Sequence, residues 1–150
     1  MSEILNILNK LKSTLEGDLE LSLVKFTLGF PNLFIENPLK ESNVSIGIKE
    51  ININTGSFDG YLSTDYDDEY FGNLSKLKIS LDIYVPEKDG GIKCFDIFYK
   101  IYKTLIDDNN PENLDFNIIC FSSNEVTYDQ NMGAFLLKCA ITMESFLFSK

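Results

Sequence analysis

From Lys76 to Val85 the chain alternates without exception. Leu77, Ile79, Leu81, Ile83 and Val85 are separated by Lys78, Ser80, Asp82 and Tyr84, with Lys76 ahead of them. A period of two places successive side chains on opposite sides of an extended backbone, so this segment predicts an antiparallel strand with one buried face. Such a strand needs hydrogen-bonded neighbours and a second layer over its apolar side. Both are legible elsewhere in the chain.

The covering layer is expected from two amphipathic helices. In the first, Ser2 is placed to cap a segment in which Ile4, Ile7, Leu8, Leu11 and Leu15 recur at three and four residue intervals. Asn6, Asn9, Lys10 and Lys12 fall on its other side, and Gly17 ends it. The second helix follows Pro86 and the turn Asp89-Gly90-Gly91. Ile92, Phe95, Phe98, Ile101, Tyr102 and Leu105 repeat there at helical spacing, and the segment Asp107 to Pro111 stops it.

Further strands are expected at Leu21 to Leu28 and from Val44 to Ile53. In the second of these Val44, Ile46 and Ile48 alternate with polar or small residues, and Ile51 and Ile53 resume in shifted phase. A bulge near Lys49 and Glu50 accounts for the shift. Phe30 to Asn43, with Pro31 and Pro38, reads as an extended connector. Phe116 to Phe121, Glu125 to Gln130 and Ala134 to about Phe148 read as three closing strands. In the last, Leu137, Cys139, Ile141 and Met143 share one face, while Leu136 and Ala140 join Lys138, Thr142 and Glu144 on the other. Leu136, Ala140, Tyr84 and Phe146 or Phe148 therefore either lie under the opening helix or mark a contact between copies. The expected class is α+β, a mainly antiparallel sheet of about four to six strands packed against two amphipathic helices, in a single domain over 1–150.

Composition excludes several chemistries. The chain has no histidine, which removes Ser-His-Asp and Cys-His catalysis and the commonest transition-metal ligand. It has no arginine, and its formal net charge of -10 repels nucleic-acid backbones, so neither sequence-specific nucleic-acid binding nor an enzyme is expected. No apolar run approaches the roughly 20 residues of a membrane span, and the start lacks a signal-peptide pattern. A cytoplasmically made protein without a membrane or cofactor partner is expected. Cys94, Cys120 and Cys139 are odd in number, widely spaced and set among apolar neighbours, as buried free thiols are.

The stretch from 54 to 75 is the least regular. It combines Phe58, Tyr61, Tyr66, Tyr70 and Phe71 with Asp59, Asp65, Asp67, Asp68 and Glu69. Asp65, Asp67 and Glu69 suggest a calcium loop, but an EF-hand starting at Asp65 would need glycine and glutamate where Tyr70 and Lys76 stand. No metal site follows. Aromatic residues in a polar loop are typical interface anchors, so Phe58, Tyr61, Tyr66, Tyr70 and Phe71 are the candidate interface, with Asp65, Asp67, Asp68 and Glu69 facing a lumen or a basic partner.

The layout as a whole resembles the tail terminator proteins of long-tailed phages. It is carried by the capped first helix, the connector with Asn37-Pro38-Leu39, the strand Val44-Ser45-Ile46-Gly47-Ile48 and the long loop. The strand Lys76 to Val85, the helix Ile92 to Leu105 and the long final strand complete it. Phage-tail-like bacteriocin particles carry similar proteins. The resemblance implies a structural subunit that forms a homo-oligomeric, hexameric ring on the tail tube protein, ends tube polymerisation, and meets the sheath, neck or collar. The subunit would be made in the bacterial cytoplasm and end in the virion or particle. Another neck or tail-completion subunit, or an acidic inhibitor such as an immunity protein or antitoxin on a basic partner, fits the same composition. Replacing the five loop aromatics by serine should leave the monomer folded and abolish assembly; native gel and size-exclusion analysis of the variant check this.

Overall fold

A computed structural model describes residues 3–29, 39–53, 71–107 and 117–149, with side-chain surroundings omitted at 71–74, 107 and 145–149. The chain builds two helices, α1 (Glu3–Glu16) and α2 (Ile92–Asp107), and six strands. These are β1 (Lys25–Leu28), β2 (Asn43–Ile53), β3 (Phe71–Pro86), β4 (Asn117–Ser123), β5 (Thr127–Asp129) and β6 (Ala134–Ser149). They form one mixed sheet in the order β1-β2-β3-β6-β4, with β5 also paired to β6. Only β1 and β2 run parallel; every other pairing is antiparallel. The expected α+β architecture is the observed one.

The alternating segment is the middle of the sheet. β3 pairs along its whole length with β6, from Phe71 opposite Ser149 to Pro86 opposite Ala134. The register sets Ile79 opposite Ile141, Leu81 opposite Cys139 and Ile83 opposite Leu137, so both strands turn the same parity of residues to one side. On that side they meet Ile7, Leu8, Leu11 and Leu15 of α1 and Cys94, Ile97, Ile101 and Leu105 of α2 in one buried cluster. α1 lies over β1 and β2, and α2 over β3 and β6. The register of β2 on β3 shifts between Ile48 and Glu50, at the expected bulge.

Several boundaries differ from the sequence reading. The segment Leu21 to Leu28 is a strand only from Lys25. Before it, Leu19–Leu21 forms a 3-10 turn, because the Asp18 carboxylate accepts the Glu20 backbone N–H at 2.8 Å and offers the backbone a partner other than a ladder. β3 starts at Phe71, so residues 71–75 belong to the sheet rather than to the loop. Thr127–Asp129 is shorter than expected, and β4 extends to Ser123. Gly90 adopts φ +84, and its N–H donates to the Glu87 carbonyl at 3.2 Å, which makes the turn into α2. The Ser2 cap and most of the Phe30 to Asn43 connector lie outside the described residues.

Two corrections concern what faces the core. Tyr84 and Leu136 do not lie under α1. They occupy the opposite face of the sheet, where Leu39, Tyr84 and Ala134 are buried together and Met132 and Leu136 pack on them. The Leu39 N–H donates to the Met132 carbonyl at 2.9 Å and fastens this small second cluster. Ala140 is on that face too, opposite Ser80.

The second correction is the orientation of α2. Cys94, Ile97, Ile101 and Leu105 face the sheet, whereas Ile92, Phe95 and Tyr102, expected in the core, are exposed. At roughly 100° per residue the helix is turned by roughly 70° from the expected face. Ile101→Ala should therefore cost about 2–5 kcal/mol of stability, while Ile92→Ala should change it by less than about 0.5 kcal/mol; urea unfolding of the two variants measures both.

Candidate interaction surface

The rotation of α2 leaves an apolar stripe in water. Ile92, Phe95, Tyr99, Tyr102 and Ile106 follow each other at intervals of three, four, three and four residues, the spacing at which a helix presents one seam to a partner. Ile92 is 85% exposed and Tyr99 58%. Their rings are ordered by one another. Tyr99 and Tyr102 lie 6.0 Å apart in a tilted arrangement, and Tyr102 meets Phe121 of β4 edge-on at 5.2 Å. The Lys103 ammonium lies 6.0 Å from the Tyr99 ring centre and borders the stripe with positive charge.

The Tyr102–Phe121 contact joins the stripe to the edge of the sheet. β4 carries no charged residue in Asn117–Ser123, and among the described residues no strand pairs with its outer side. Its register on β6 shifts between Ile118 and Cys120, and Ile119, in the bulge, is half exposed. Such a bulge bends an edge and limits unguided strand pairing.

A second, unlike patch lies on the other flank of α2. The 3-10 turn runs along that flank, where Leu21 and Leu23 border a groove with Lys93, Ile97 and Lys100. The Thr104 hydroxyl sits between the Lys100 carbonyl, at 2.8 Å, and the Asp18 carboxylate, and can donate to either. Asp18 thus holds the turn at both its own backbone and α2. The result is that Leu19 and Leu23 project outward, 88% and 87% exposed, with exposed Glu20 between them. By helical position the two patches are separated by roughly 150° around α2.

Away from the small Leu39–Tyr84–Ala134 cluster, the face of the sheet opposite the helices is largely polar. Lys49, Lys78, Ser80, Asp82, Ser122, Asn124 and Lys138 border a shallow trough there. Asp82 lies opposite Lys138 in the register of β3 on β6. Desolvation raises its carboxyl above the ordinary range, against the pull of Lys138 and Lys49. Beside it Tyr84 is pushed up to about 12, first by burial and then by Asp82 and Asp129. These shifts follow from packing a charged row against a partly covered sheet. No group of three or more Cys, Asp or Glu residues among those described could hold a metal ion. No described helix is long and apolar enough to cross a membrane.

Of the interface expected from the sequence, Phe58, Tyr61, Tyr66 and Tyr70 lie outside the described residues, as do Asp65, Asp67, Asp68 and Glu69. Phe71 opens β3, opposite Ser149. The stripe is not legible in the sequence because the same spacing assigns Ile92, Phe95 and Tyr102 to the core and leaves Tyr99 and Ile106 unassigned. The signal that distinguishes them is the second apolar series, Cys94, Ile97, Ile101 and Leu105, which competes for the same helix. Compared with protein-family models and with curated protein sequences, the chain matches none.

The cysteines divide by the same geometry. Cys94 and Cys139 are buried between α2 and the sheet, and burial pushes their thiols up to about 11 and about 12. Cys120 is exposed on β4, contrary to the expectation that all three are buried. It points away from the core because the bulge at Ile119 sets it opposite Thr142, on the polar face. Since the thiolate is the reactive form, a maleimide at neutral pH should modify Cys120 alone in the folded protein and all three cysteines in denaturant; intact and peptide mass spectrometry read the outcome.

Proposed function

We propose that this chain is a structural assembly subunit that forms a ring, caps a tail tube and ends its polymerisation, as the resemblance to tail terminator proteins implies. The observation that carries the reading is the pair of unlike apolar patches on opposite flanks of α2. A closed ring repeats one heterologous contact, so each copy must offer two different surfaces, one to each neighbour. A contiguous apolar stripe on an outer helix face is the kind of surface that marks an interaction site. The architecture also suits the task, because among the described residues no strand pairs with the outer side of β1 or of β4, the two ends of the sheet.

Charge adds a second line of support. With a net charge of -10 the ring would be acidic, and an acidic lumen lets a polyanion pass without adhering. In this reading the subunit is made in the bacterial cytoplasm and ends in the virion or in a phage-tail-like particle. There it contacts the tube protein on one side and the neck or collar on the other, as a hexamer. Particles assembled without the gene should carry overlong or ragged tubes, visible as a broadened length distribution by negative-stain microscopy. Tubes of normal length would overturn the terminator reading in favour of another neck component or of an inhibitor.

A further inference from the structure

We infer that the trough on the sheet face away from the helices is a binding site for a dianionic group, a phosphate or a dicarboxylate. The site does not depend on the ring reading.

Its lining reverses the charge balance of the chain. The protein carries 23 acidic and 13 basic residues, yet among the described residues that line the trough Lys49, Lys78 and Lys138 stand against a single carboxylate, Asp82. Three positive charges less one negative leave an excess of two, in a molecule whose overall charge is -10. Glu50 stands across from Lys78 in the register and does not line the trough. The other polar groups are the hydroxyls of Ser80, Ser122 and Ser123 and the amide of Asn124, all able to donate hydrogen bonds to an anion. No aromatic side chain is among the described lining residues, so the site recognises charge and acceptor oxygens and offers no ring for stacking.

The cations are not consumed within the subunit. Among the described residues, none of the three ammonium groups closes an ion pair. Lys138 and Lys49 pull on the Asp82 carboxylate from a distance without pairing with it. Like charges gathered without a counter-charge repel, and a bound anion relieves that repulsion.

The register explains how they come together. Gly47 of β2, Ser80 of β3, Ala140 of β6 and Ser122 of β4 lie opposite one another in turn, so a row of small residues crosses four strands. A Cβ at Gly47 would meet the Ser80 Oγ at 3.0 Å, which keeps the floor of the row low. Lys78 stands two residues from the row on one side, and Lys138, opposite Asp82, two residues from it on the other. With a rise of about 3.4 Å per residue and strands about 4.8 Å apart, the backbones of these two lysines are roughly 14 Å apart. Two four-carbon stems with an anion between their ammonium groups span that distance. Lys49 is the extra residue at the β2 bulge, where the register passes from Ile48 to Glu50, and the bulge adds it to the same trough. The volume enclosed, about 470 Å3, is in the range of small-molecule sites.

The test is an amide NMR titration of the full chain with inorganic phosphate and, separately, with succinate. Binding should shift the amides of Ser80, Ala140 and Ser122 and saturate at one anion per chain, and the probe that binds more tightly names the source of the dianion. Lys78→Gln and Lys138→Gln should each weaken binding on the order of tenfold, whereas Asp82→Asn should strengthen it several-fold. Lys12→Gln removes the same unit of charge from α1 and should leave binding unchanged. Circular dichroism melts verify that each variant folds as the wild type does; should Lys78→Gln melt early, Lys49→Gln takes its place. Shifts that fail to saturate with both probes would overturn the inference. So would an equal loss in Lys12→Gln, or shifts spread over the lysines of every face, since either result means an adventitious ion only. Tube lengths are untouched by all of these outcomes, so the capping function stands or falls separately.

Discussion

The antiparallel pairing of β3 with β6 is the interaction on which everything else depends. Each strand is sixteen residues long and the two are in register from end to end. Because side chains alternate strictly, one register fixes which face of both strands is apolar, and a slip of one residue would turn that whole face to water. The apolar face then dictates that both helices pack on the same side. It also leaves the polar residues Lys78, Ser80, Asp82 and Lys138 to form the opposite surface.

Those dependencies explain which parts of the fold were legible in the sequence. The strand from Ala134 onward was legible almost to the residue and the end of the Lys76 to Val85 strand within one, whereas its start lies five residues earlier, at Phe71, where the alternation is lost; the phase shift at Lys49 and Glu50 gave away the bulge. The Leu19–Leu21 turn was not legible, because its apolar residues fit a strand and its determinant is a single local hydrogen bond from Glu20 to Asp18. The orientation of α2 was not legible either. Apolar residues occupy roughly two thirds of its circumference, so periodicity alone could not select the wedge that faces the sheet. That choice is made by shape: Cys94, Ile97, Ile101 and Leu105 are the narrower set, and the four aromatic residues Phe95, Phe98, Tyr99 and Tyr102 stay at the side or outside.

The candidate surface was hidden for the same reason. An apolar side chain on an amphipathic helix reads as core, and only the three-dimensional count of which wedge is already used shows that a second wedge is left over. The aromatic loop was an expectation from composition; four of its five aromatics lie outside the described residues, and Phe71 is the first residue of β3.

The hydrogen bond between Thr104 and Asp18 ties a surface turn to the middle of a helix. In any closed ring, the number of copies is the number of equal rotations that return to the start, and each rotation is the angle between the two contact surfaces of one subunit. Here one apolar patch lies on α2 and the other begins at the residue after Asp18. In the ring proposed above, an angle between neighbours set by these two patches would be fixed inside each subunit by that side-chain bridge, before any two copies meet.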